Sequence, residues 1–176
     1  MRCISPLTLR RNGVLETVPC GKCNFCLQTL RGDWSFRVNQ EWKQCQTASF
    51  LTLTYDDENL VLSDAGPTLV KSDYQDFMKR LRKKQTEYSP VGLRYFACGE
   101  YGTITERPHY HAIMFNMHVA VLSGLQTIWG KGHVGIGTVT PESIHYTTGY
   151  IINRKSGIED GKSPPFHLCH GVQGSG

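Results

Sequence analysis

Two histidines one residue apart, in the stretch RPHYHAIMF (107–115), have a spacing that invites chemistry. In an extended strand, side chains two apart project from the same face. His109 and His111 would then stand side by side, with Tyr110 turned to the other face beside Ala112 and Met114. Neighbouring imidazoles are costly to bury without a partner, and they make half of a metal site. The plain alternative is a pair of satisfied surface histidines on an edge strand. A metal would need a third ligand, and a carboxylate is the expected one. If the preceding hairpin turns evenly about residues 101–106, Cys98 pairs with His109 and Phe96 with His111. Glu100 then lies diagonal to His109 on the histidine face. A slip of one residue would turn it away. Glu106 has the wrong parity, and His145 is a rival from a later helix. Two imidazoles and Glu100 would leave positions open on Mg2+ or Mn2+ for phosphate oxygens, and such a metal acts as a Lewis acid on a phosphodiester.

A nucleophile could come from HYTTGYIINRK, where Tyr146 and Tyr150 are four apart and share one helical face. Tyrosines so spaced are usually core residues. Here Thr147, Thr148 and Gly149 make a poor core segment, and Arg154 and Lys155 follow on the next turn. A phenol becomes a nucleophile when nearby cations or a metal favour loss of its proton.

Two further clusters are chemical. Cys20, Cys23 and Cys26 form C-x2-C-x2-C, and Cys3 could complete four thiolates for a structural Zn2+. Free thiols in a packed arm, or an iron–sulfur cluster, are the alternatives. Cys45, Cys98 and Cys169 read as isolated small hydrophobes. The run KRLRKK (79–84) has five cations in six positions, with Lys79, Arg80, Lys83 and Lys84 as candidate phosphate contacts. A solvated helix face would explain the run equally well.

These residues need elements to hold them. Residues 30–46 predict a helix with Trp34, Val38 and Trp42 on one face, and 49–55 a strand closed by the acidic turn DDEN. Residues 72–84 predict a helix capped by Ser72 or Asp73, burying Tyr74, Phe77, Met78 and Leu81. Residues 93–100 and the histidine stretch predict a hairpin. Residues 118–130 predict a helix stopped by Gly130, 132–139 a Gly-rich strand, and 140–155 a helix with Thr140 as cap and Pro141 first. The order α-β-α-β-β-α-β-α implies an α+β fold, a central antiparallel sheet covered by helices, with a Cys-rich arm over 1–30.

The chain has 176 residues, 39% hydrophobic and 19% charged, with net charge +4, as expected of a soluble domain. No apolar run approaches the ~20 residues of a membrane span. MRCISPLTLRR lacks the apolar stretch of a signal peptide, so a reducing cytoplasm is expected, and seven clustered cysteines argue against a disulfide framework. The terminal Gly-Ser-Gly (174–176) reads as an appended scar without fold meaning.

Three stretches, FLTLTYDDENL, CGEYGTITERPHYHAIMF and YTTGYIINRK, resemble in this order the motifs of HUH endonucleases. The similarity is greatest to rolling-circle replication initiators of gokushovirus-like microviruses. VPCGKCNFC and DWSFRVNQEW extend it over nearly the whole chain. The resemblance implies an HUH domain over 31–173 with an RRM-like palm. It also implies nicking of single-stranded phage origin DNA in the host bacterial cytoplasm, alongside the host replication machinery. A 5′-phosphotyrosine would form and a 3′-OH primer would be released. His109 and His111 fall on the paired histidines, Glu100 on the acidic ligand position, and Tyr146 and Tyr150 on the tyrosine motif. Members often carry lysine where this chain has Gly149, so Lys155 or Arg154 would supply the cation. Such proteins usually continue beyond the point where this chain stops. The competing expectations are a non-catalytic DNA-binding module stapled by zinc, or a related transposase or relaxase.

Overall fold

The computed structural model describes residues 3–152 and 161–172. In chain order it has β1 (Leu7–Arg11), β2 (Val14–Val18), α1 (Asn24–Gln44), β3 (Ala48–Thr54), β4 (Leu62–Ser63), β5 (Gly66–Pro67) and α2 (Lys71–Gln85). Then come β6 (Arg94–Tyr101), β7 (Pro108–Phe115), α3 (Val119–Leu122), α4 (Leu125–Trp129), β8 (Val134–Gly137), α5 (Pro141–Gly149) and β9 (Phe166–His170). Five strands make one antiparallel sheet in the order β8-β3-β7-β6-β9. The expected α+β architecture is the one observed.

Strand alternation gives this sheet two apolar faces, and each recruits helices. Leu51, Leu53, Tyr95, Tyr110 and Met114 pack on one side against Tyr74, Phe77, Met78 and Leu81 of α2 and Trp129 of α4. Phe96, Ile113 and Phe115 pack on the other against Val38 of α1 and Ile144 of α5, with Trp34 and Trp42 alongside. Tyr110, between the two histidines, does point to the α2 side, where its hydroxyl meets Tyr55 at 2.7 Å and the Val70 carbonyl at 2.9 Å. β7 lies at the centre of the sheet, between β3 and β6. The histidine pair is therefore not on an edge strand.

Several elements depart from expectation. α1 begins at Asn24, so it runs unbroken across the boundary expected between residues 30 and 31. The arm contains the β1–β2 hairpin, whose Asn12-Gly13 turn has φ of 50° and 83°, the positive values a two-residue turn demands. α2 starts at Lys71 after Val70, because Asp73 is engaged by the Tyr55 hydroxyl at 2.8 Å rather than by the helix end. The helix expected over 118–130 breaks at Ser123-Gly124 into α3 and α4, and Gly130 stops α4 with φ 63°. α5 has the expected Thr140 cap and Pro141 start, but it ends at Gly149. β4, β5 and β9 were not expected. Among the described residues no helix is long and apolar enough to cross a membrane. Arg154, Lys155 and the terminal Gly-Ser-Gly lie outside the described residues.

Candidate active site

β6 and β7 bring the first three residues together. Glu100 lies directly opposite His109, and Cys98 opposite His111. The even-turn register is thus off by two residues. Glu106 takes a positive φ of 51°, and the turn closes through Gly102 N–H donating to Arg107 O at 3.0 Å. A two-residue shift preserves parity, so Glu100 keeps the histidine face. His109 Nε2 is 2.8 Å and His111 Nε2 3.0 Å from the same oxygen, Glu100 Oε1. Glu100 is only 3% exposed. A buried carboxylate needs partners of this kind.

The far ring nitrogens are held from behind. His109 Nδ1 is 3.1 Å from the Arg107 carbonyl, and His111 Nδ1 3.0 Å from the Thr52 hydroxyl on β3. A carbonyl only accepts, so the His109 Nδ1–H donates to it. A neutral imidazole has one N–H, which leaves a lone pair on Nε2 facing the carboxylate. That contact is repulsive unless a proton or a cation lies between. His111 Nε2 is buried without a hydrogen bond, since its 3.0 Å approach to Glu100 lacks the required direction. These atoms fit a divalent cation, with backbone and threonine partners orienting the ligands.

The electrostatics agree. Burial works to raise the Glu100 pKa, but hydrogen bonds and charge from the two histidines outweigh it and hold the carboxyl below its ordinary range. Burial works to lower His109, and Glu100 reverses this to a net rise. The rival third ligands are engaged elsewhere: Glu106 pairs with Lys162 at 2.6 Å, and His145 accepts from Arg31.

α5 brings both tyrosines over this centre. Tyr146 meets His111 edge-on at 5.1 Å between ring centroids, Tyr150 lies nearly parallel to it at 6.2 Å, and the two phenols are 5.0 Å apart. The Tyr146 hydroxyl donates to Glu100 Oε1 at 3.3 Å, and this residue is 47% exposed. Burial raises both phenol pKa values, and the Glu100 charge adds to it. Thr147 and Thr148 are fully buried, contrary to expectation. Their hydroxyls donate to Ser143 O at 2.7 Å and Ile144 O at 2.8 Å, and Thr148 also meets Ser35 of α1 at 2.8 Å. Hydroxyls satisfied in this way can be buried.

Sequence reasoning missed Arg31 and Gln28. Both line a cavity of about 460 Å³ between α1 and α5, together with His145, Tyr146, Gly149 and Tyr150. Arg31 also donates to the His145 carbonyl at 3.1 Å. A Cβ on Gly149 would sit 3.5 Å from the guanidinium, so the bare glycine leaves it room. Arg31 and His145 are 114 residues apart in sequence, and no local pattern links them.

The basic run is not brought to this site, because α2 covers the opposite face. Lys79 pairs with Asp76 at 2.9 Å and Lys84 with Glu87 at 2.6 Å, while Arg80 donates to the Ile128 and Trp129 carbonyls at the end of α4. Lys83 is exposed. Cys98 is buried as expected and Cys45 half-buried, but Cys169 is exposed. The other four cysteines converge on one another.

Fold and site together define an α+β sheet protein with a His-His-Glu centre under two tyrosines. The family of replication-associated protein ORF2 matches residues 48–155, more than half of the chain, and the chain belongs to that family. It is 34% identical over 167 residues to replication-associated protein ORF2 of Spiroplasma virus 4, covering 85% of this chain and 52% of that protein. To replication-associated protein VP4 of Bdellovibrio phage phiMH2K it is 32% identical over 171 residues, covering 86% and 53%. To replication-associated protein ORF4 of Chlamydia phage 1 it is 27% identical, covering 76% and 37%. The chain thus spans about half the length of the first two relatives. No solved structure matches it.

Proposed function

We propose that this chain nicks and rejoins single-stranded DNA at a phage replication origin, by transesterification onto tyrosine. The observation behind this reading is that two phenols stand over a buried His-His-Glu cluster, with a guanidinium at the rim of the same cavity. The replication-associated names of the relatives favour DNA as substrate. Glu100, His109 and His111 would hold Mg2+ or Mn2+, which when bound supplies Lewis-acid withdrawal of charge from the phosphodiester.

The protein's own groups do the rest. Tyr146 is the more open phenol and would attack phosphorus first. Glu100 Oε1, 3.3 Å from its hydroxyl, is an acceptor within reach for its proton. The new bond joins the phenol oxygen to phosphorus, and the bond to the 3′ oxygen breaks. That oxygen takes a proton and leaves as a 3′-OH primer, with the 5′ end held as phosphotyrosine. Attack by a 3′-OH reverses the step. Tyr150 would serve a second cleavage after copying. Arg31 takes the place expected of Lys155 or Arg154, neutralising phosphate beside the tyrosines.

The test is covalent capture of single-stranded oligonucleotides in Mn2+ or Mg2+, read on a denaturing gel. We expect Tyr146→Phe and Tyr150→Phe each to retain some adduct, with the larger loss in Tyr146→Phe. The double variant should bind DNA and metal normally yet lose adduct by about 10⁴-fold or more. EDTA should abolish the reaction. An adduct on the double variant would put the nucleophile elsewhere. DNA binding without any adduct in the parent protein would favour the non-catalytic module.

A further inference from the structure

The N-terminal hairpin poses a packing problem that its apolar residues do not solve. Every residue from Ile4 to Thr17 is exposed, including Leu7, Leu9, Val14 and Leu15. An isolated two-stranded hairpin is marginal in water. Cys3 precedes β1, Cys20 follows β2, Cys23 caps α1 and Cys26 lies in its first turn. All four sulfurs lie within 4.8 Å of one another.

We propose that Cys3, Cys20, Cys23 and Cys26 bind one structural Zn2+ that closes the base of the hairpin and fastens it to the start of α1. The separations match the ion. Four sulfurs about 2.3 Å from a tetrahedral zinc stand about 3.8 Å apart. Here Cys20–Cys26 is 4.0 Å, Cys3–Cys23 is 3.9 Å and Cys23–Cys26 is 3.5 Å. A disulfide would need about 2.05 Å. Thiolates of a multi-iron cluster bind different irons, and sulfurs this close share one ion.

The backbone is shaped for thiolates. Cys20 N–H donates to Cys3 Sγ at 3.3 Å. Lys22 and Cys23 N–H donate to Cys20 Sγ at 3.4 and 3.3 Å. Gly21, at φ 68°, makes the turn that aims both amides at one sulfur. Such N–H bonds spread the negative charge of four thiolates around a dication. Gln28 and Arg31 follow Cys26 on the same helix, so the zinc would also steady one wall of the cavity beside the tyrosines.

The experiment is metal analysis of the whole protein, purified without added metal and dialysed against EDTA. We expect about one zinc per chain, released when a mercurial titrates the thiols. His109→Ala/His111→Ala and Cys169→Ser should keep it. Cys20→Ser and Cys23→Ser should lose it, and residues 3–26 should then exchange amide hydrogens freely. Cobalt substitution of the parent protein should give thiolate-to-metal charge transfer and tetrahedral visible bands. This readout stands even if a cysteine variant fails to fold, and it is independent of any cleavage. Absence of zinc with four freely reactive thiols would overturn the proposal. So would bound iron, with or without sulfide, or zinc lost on the histidine substitutions alone.

Discussion

At the residue scale, the two histidines differ more than their spacing implies. His111 is buried, bonded to Thr52 and stacked on Phe50 at 5.5 Å, whereas His109 is half-buried beside the turn. Either alanine substitution should abolish adduct formation. His111→Ala should also cost about 1–3 kcal/mol of stability, against about 0.5–1 for His109→Ala; equal costs in denaturant titrations would contradict the buried geometry. The pKa shifts add a pH signature. The raised His109 pKa gives stability that is complete below its unfolded value of 6.5 and lost as pH rises through the folded value. The lowered Glu100 pKa gives stability present above 4.5 and lost as pH falls through the folded value. In chelator, the pair should therefore stabilise most between pH 4.5 and 6.5. Metal competes with the His109 proton, so Mn2+ should shift the optimum to higher pH. Thermal melts across pH, with and without Mn2+, check both halves.

At the scale of elements, α1 and α5 build the cavity jointly. α5 delivers the phenols, and α1 delivers the guanidinium that packs over Gly149. If Arg31 contacts phosphate, Arg31→Ala should weaken single-stranded DNA binding by about tenfold and lower the salt slope by roughly one. Arg31→Lys should restore the slope but only part of the adduct yield, because lysine keeps the charge and loses the bidentate fork. An unchanged slope in Arg31→Ala would make Arg31 a helix-packing residue.

For the whole molecule, the sheet separates two positive regions. The cavity with Arg31 lies on the α1–α5 side and the basic run on the α2 side. Substituting Lys79, Lys83 and Lys84 by alanine should weaken all oligonucleotides alike and flatten the salt dependence. At saturating DNA it should leave adduct yield unchanged. Loss of yield there would mean that DNA wraps the sheet edge to reach both faces. Arg80 is better left intact, since its two bonds satisfy carbonyls at the end of α4.

What is local in this protein was legible in its sequence. Period-two alternation put His109 and His111 on one face, and parity alone sent Glu100 to join them even with the register misjudged by two. Thr140 and Pro141 marked the start of α5, Gly130 the end of α4, and Cys spacing the thiol cluster. The Asn12-Gly13 turn was equally readable and was passed over. Tertiary structure decided the rest. Thr147 and Thr148 look too polar for a core, yet their own helix carbonyls and Ser35 satisfy them. Arg31 reaches the tyrosines only because α1 and α5 pack on the same sheet face. The basic run falls on the far face because the apolar stripe of α2 follows Tyr110 and Met114, not the histidines. Alternation and capping act between neighbours in the chain. Which face a helix covers depends on the apolar surface that strands from distant parts of the sequence assemble together.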